Sequence, residues 1–98
     1  MRADEVDESK VREFVKQFRG KPLPKTGLEF ILACYDNDND LRGVAAFGFN
    51  SRGKLLAKLA ITDGGSDRIL PTLFVKAELI ARERYAQKKG AFYDNRLG

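Results

Sequence analysis

An α+β domain is the fold class this sequence predicts: a three-stranded antiparallel meander with two helices packed on one face, in the order α-β-β-β-α. Three observations carry the prediction. Apolar residues recur at helical spacing towards both ends of the chain, and three stretches between them alternate in character. The connections joining those stretches are too short for parallel crossovers. At 98 residues the chain is expected to be one domain, 1–98, with residues 1–8 and 91–98 as tails free to move.

The first helix rests on Val11, Phe14, Val15 and Phe18, which fall on one stripe at three- and four-residue spacing. Asp7 or Ser9 stands where a cap is needed, and Gly20 ends the helix. The segment KPLPK then carries two prolines, which forbid a helix and favour an extended connection. In the first strand Leu28, Phe30, Leu32 and Cys34 alternate with Glu29, Ile31, Ala33 and Tyr35, the pattern of a half-buried strand. The second strand runs from Arg42 to Phe49 through GVAAFGF, small and aromatic residues without helical spacing. The third sets Leu55, Ala57, Leu59 and Ile61 against Lys54, Leu56, Lys58 and Ala60. Asn50 to Gly53 joins these two as a tight hairpin, because Asn and Gly tolerate the positive φ such turns need.

After TDGG, Ser66 or Asp67 is placed to cap a long second helix, with Pro71 in its first turn. Leu70, Leu73, Phe74, Ala77, Ala81 and Tyr85 or Arg84 form its core side. Val75 and Leu79 interrupt the opposite side; either they rest against the first helix or they mark a partner contact. Lys88, Lys89 and Gly90 close the helix, with cations at the negative end of its dipole. The final AFYDNRLG adds a short strand or stays a tail.

Charge is distributed unevenly. The formal net charge is +4, and the excess lies in the second half: four basic groups against one acidic over 41–65, and seven against four over 66–98. A small basic protein of this kind suits a nucleic-acid footprint as well as plain solubility. The acidic N-terminus and the lack of a long apolar run predict a cytoplasmic chain with no membrane partner. Cys34, the sole cysteine, sits in the apolar register of a strand and reads as a buried structural thiol. With no histidine, the commonest general base and most zinc sites are absent, so no catalytic residue, metal ligand or cofactor is assigned.

The stretch CYDNDNDLRG places Asp36, Asp38 and Asp40 at every second position. A calcium loop would need glycine where Leu41 stands and a bidentate glutamate where Phe47 stands. A magnesium site built from Asp36, Asp38 and Glu78 is the alternative to a solvated connector between two strands, and the connector is the reading adopted. The basic side chains expected to bind nucleic acid, RNA above all, are Lys10, Lys16, Arg52, Lys54, Lys58, Arg68 and Lys76. The alternative is a protein partner held at the sheet edge or on the Val75/Leu79 stripe. Oligomeric state is not assigned.

Three resemblances follow from these residues. The element order, the GKPLP connection and the RGKLLAK opening of the third strand resemble the double-stranded RNA-binding domain over about residues 9–89. That resemblance implies RNA contacts from Lys10 or Lys16 on the first helix and from Ser66, Arg68 and Lys76 around the second. LAKLAITDGGSDRILPTLFVKAELIARERYAQKKGA resembles the strand-loop-helix of an acetyl-CoA-dependent N-acetyltransferase. It implies pyrophosphate held by amides ahead of the helix, with Gly64, Gly65 and Arg68 at the family's positions. Asp36 and Glu78 resemble the acids of a ribonuclease-H-like hairpin.

Overall fold

A computed structural model describes residues 1–85. It is an α+β fold whose four strands form one antiparallel sheet in sequence order: β1 (Arg2–Val6), β2 (Phe30–Tyr35), β3 (Leu41–Phe49) and β4 (Leu55–Thr62). Helix α1 (Arg12–Arg19) precedes β2, and α2 (Ile69–Tyr85) follows β4. The expectations for residues 86–98, including the lysine-rich helix end and the AFYDNRLG tail, lie outside the described residues.

The first difference from expectation is the extra strand. Residues 2–6, expected within a tail, pair with β2 from Arg2 opposite Tyr35 to Val6 opposite Ile31. Ala3 is the anchor, buried with Phe30, Leu32 and Cys34 beneath α2, while Arg2, Asp4 and Glu5 give the strand a charged outline. A short charged strand is stable at a sheet edge because its outer backbone groups remain solvated.

The second difference concerns layers. The helices lie on opposite faces of the sheet, not together on one. Phe30, Leu32 and Cys34 of β2, with Ala45 and Phe47 of β3, join Ile69, Leu73, Phe74, Ala77, Ile80 and Ala81 of α2 in one core. Ala33 of β2, with Val44 and Ala46 of β3, joins Val11, Phe14, Val15 and Leu23 in another. Strand side chains alternate between faces, so neighbours in β3 serve different cores. Val44, Ala45, Ala46 and Phe47 are all fully buried, which explains a central strand apolar on both sides.

In β4 the expected apolar set is split by a bulge. Ala57 pairs with Phe47 and Leu59 with Ala46, so Lys58 is the extra residue between them. The side-chain period therefore resets: Leu55 and Ala57 pack towards α2, whereas Leu59 and Ile61 pack towards α1.

Two glycines of β3 permit close approach of the layers. A Cβ on Gly43 would collide with Ile69 of α2, and one on Gly48, facing the other way, would collide with the carbonyl of Gly27. The helices themselves depart from expectation in detail. Asp7 and Ser9 do not cap α1; Ser9 donates to Asp7, a 3-10 turn spans Glu8–Lys10, and Val11 is the N-cap. Gly20 closes α1 in the left-handed region with φ 79°. Phe18, expected in the buried stripe, is exposed and packs on Phe14. In α2 the buried side includes Ile69 and Ile80, which the spacing argument missed, while Leu70 is only partly buried. Val75 and Leu79 are exposed and do not rest against α1, because α1 is across the sheet.

Candidate functional site

Strand β4 ends at Thr62, where its partner is Gly43, and the chain turns through residues 63–68 into α2. Much of the turn is stitched by its own side chains. Thr62 Oγ1 accepts from the Gly64 amide, Asp63 Oδ1 from Gly65, and Ser66 Oγ from Arg68. Gly64 has φ 79°, a conformation that costs glycine nothing and a branched residue a great deal. Helix α2 then opens at Ile69 with Pro71 two positions on, where the missing N–H removes nothing from the helical ladder. Pro71 has no amide and that of Thr72 donates to the Arg68 carbonyl, so the first turn contributes the amides of Ile69 and Leu70 at the positive end of the helix dipole.

Arg42 supports this turn from below. Its Nε stands 2.8 Å from Asp63 Oδ2, and Nη1 is 3.6 Å from Asp36 Oδ2. The short Nε contact is an ion pair rather than a directed hydrogen bond, since Nε is buried without a well-aligned acceptor. Gly65 lies against the guanidinium so closely that a Cβ there would strike it. The Asp63 amide in turn donates to the Arg42 carbonyl, so β3 and the turn are tied twice. Asp63 is thus neutralised by a residue of the sheet, whereas Asp67 and Arg68, next to the helix entrance, are exposed.

The aspartate-rich stretch is a hairpin connector between β2 and β3. Asp36 Oδ1 accepts from the amides of Asp38 and Asp40, the Asp36 amide donates to the Asp40 carbonyl, and Asn39 adopts φ 69°. Asp36 performs an Asx-type closure and also faces Arg42, which is why that member of the series differs in role from exposed Asp38 and Asp40. Glu78, which the alternative magnesium reading would bring to Asp36, pairs with Arg82 on α2. No group of three or more metal-ligating side chains gathers among the described residues.

The seven basic residues expected to form one footprint are divided. Lys10 and Lys16 accompany α1 on one side of the sheet, and Lys58 at the bulge extends its stem over Gly48 on that same side. Lys76 belongs to α2 on the other side, where its charge acts on Glu5 of β1. Arg52 and Lys54 occupy the β3–β4 hairpin, and Arg68 lies beyond the far end of β4, about 26 Å away for an eight-residue strand.

A second constellation, at the opposite end of α2, was not expected from the sequence. Arg84 donates Nη1 to Glu5 Oε2 at 3.0 Å and Nη2 to Glu5 Oε1 at 2.6 Å, with its guanidinium 5.9 Å from the Phe30 ring centroid. The hydrogen bond from Arg84 holds the Glu5 carboxyl below its usual range. Tyr85 donates to Glu29 at 3.1 Å and meets Phe49 edge-on, and burial together with that carboxylate raises its phenol. These contacts bind edge strand β1 and the start of β2 to the last turn of the helix, a structural latch. The sequence signal for it was the placement of Tyr85 or Arg84 on the core side of the second helix; Glu5 lay in the segment expected to be a tail. Cys34 is fully buried, and desolvation raises its thiol, as befits a core residue.

No family model matches the chain. Neither a curated protein nor a solved structure is similar to it. The functional reading therefore rests on the chain's own geometry.

Proposed function

We propose that this chain binds an acyl-CoA-type cofactor through its phosphate groups at the passage from β4 into α2, in the manner of an N-acetyltransferase half-site. The observation that carries the reading is the 63–68 turn. It combines a left-handed glycine, a second glycine pressed on Arg42 and the N-terminus of a 17-residue helix at one corner of the sheet. Arg68 supplies an exposed cation for the outer phosphate, and the Arg42–Asp63 pair cancels one carboxylate of the turn, leaving Asp67 as the exposed acid beside the helix. In this reading the turn's part is to hold and orient the cofactor.

A thermal melt with acetyl-CoA tests the reading. Ligand at 100 times its Kd stabilises by about 2.7 kcal/mol, several degrees in midpoint for a domain of this size. Arg68→Ala and Gly64→Val should each reduce that shift, and inorganic pyrophosphate should compete. An unchanged midpoint at millimolar acetyl-CoA would refute it.

Nucleic-acid binding is the second reading, favoured by the placement of Lys10, Lys16 and Lys58 on one side of the sheet. A filter-binding titration against double-stranded RNA should show an affinity falling steeply with salt, reduced by alanine at those three positions and indifferent to Lys76→Ala. Equal effects from both variants, or a flat salt profile, would remove it.

A further inference from the structure

The two edges of the sheet are unlike. β1 carries Arg2, Asp4 and Glu5 in five residues, with Arg2 and Asp4 paired at 3.0 Å along the strand. Charges so arranged guard an edge against pairing. β4, the other outer strand among the described residues, reads LLAKLAIT, and its only charge is Lys58. Leu56, Ala57, Leu59, Ala60 and Ile61 are each half-buried. From Asn50 to Thr62 the chain has no acidic residue and three cations, Arg52, Lys54 and Lys58. An open apolar edge whose charges are all positive is complementary to one kind of strand.

We propose that the β4 edge takes an extended acidic peptide by strand addition. Its backbone would pair with the outer N–H and C=O groups of β4, and its alternate carboxylates would face Lys58 and the Arg52/Lys54 hairpin. The bulge at Lys58 divides the edge into Leu55–Ala57 and Leu59–Thr62, which sets the ligand's register around the lysine. This inference is independent of the acyl-CoA reading: it uses the length of β4 rather than the turn after it.

The test uses the full chain and three capped eight-residue peptides: one alternating valine and glutamate, one alternating valine and lysine, and the first with prolines at two central positions. Calorimetry should show the acidic peptide binding at least tenfold tighter than the basic one, with the proline version losing most of that affinity. Amide exchange should slow at the outward-pointing amides of residues 55–62 when the acidic peptide binds, and Lys58→Glu, which leaves Arg52 and Lys54 against one acid, should shrink the charge preference severalfold with unchanged circular dichroism. Absence of binding overturns the proposal. So does equal binding of the proline peptide, which would mean unspecific attraction of charge. Protection in the free chain of the β4 amides that point away from β3 also overturns it, because the edge would then be occupied by a second copy or by the chain's own residues 86–98; sedimentation separates those two.

Discussion

Substituting Ala45 and Ala46 separately by Asp tests whether β3 is covered on both faces. These neighbours point in opposite directions, Ala45 into the core beneath α2 and Ala46 into the core beneath α1, and neither exposes any surface. A carboxylate buried without a partner costs on the order of 3–5 kcal/mol. A chain of 98 residues has about 5–15 kcal/mol in all. Each variant should therefore lose about a fifth or more of its stability, and the loss should be similar at the two positions. Serine gives a milder version: an unsatisfied buried hydroxyl costs about 1–3 kcal/mol. In urea, with a slope near 2 kcal/mol per M, the midpoint would move down by about 0.5–1.5 M. Denaturation followed by far-ultraviolet circular dichroism measures both. If one position accepted Asp with less than about 0.5 kcal/mol lost, that face would be open to water and the three-layer arrangement would be wrong.

The remaining perturbations address single contacts. Phe47→Ala removes a fully buried ring stacked 5.1 Å from Phe30 and edge-on at 5.8 Å to Phe74, and should cost about 3–5 kcal/mol by urea denaturation, against less than about 1.5 for Phe47→Leu. Gly48→Ala drives a methyl into the Gly27 carbonyl, a backbone atom that cannot rotate aside; about 1–3 kcal/mol should be lost, with faster amide exchange over residues 25–29. The Glu5–Arg84 pair is largely exposed, so a double-mutant cycle should give no more than about 1 kcal/mol of coupling. Because the folded-state pKa of Glu5 is lowered, that coupling is present above its ordinary value of 4.5 and disappears as pH falls through the lower folded value; a cycle repeated at pH 7 and pH 3 checks the sign.

What the sequence disclosed was the kind and order of its periodic segments. The Val11, Phe14 and Val15 spacing, the shared face of Phe30, Leu32 and Cys34 and the hairpin at Asn50–Gly53 appear where expected, whereas the half-buried reading of that strand fails, since Ala33 is buried on its other face and Leu28 packs there too. Two features were hidden for identifiable reasons. In β1 only Ala3 is apolar and buried, too little for a periodicity argument; the strand exists because β2 offers an edge and Arg84 holds Glu5 from the helix. The opposite-face helices were obscured by assuming one apolar face per strand. GVAAFGF contradicted that assumption, since six consecutive buried positions in β3 cannot all face one layer.

Charge was least legible, because net sign along a chain says nothing about direction in space. The bulge at Lys58 illustrates the difficulty. Simple alternation through KLLAKLAI puts Lys58 opposite one uniform apolar row, yet the inserted residue turns Leu59 and Ile61 to the face opposite Leu55 and Ala57. A single unpaired position thus decides which layer each leucine serves and where the lysine stands relative to Lys16 and Lys76. Bulges arise from pairing with a partner strand, here the step from Ala46 to Phe47, and so are not encoded in the local pattern of the strand that carries them. Keeping Lys58 but pairing β4 in plain alternation, without the bulge, would bring Leu59 under α2 and strip the α1 core of its edge. The two buried layers together, rather than the strand itself, hold the bulge in place.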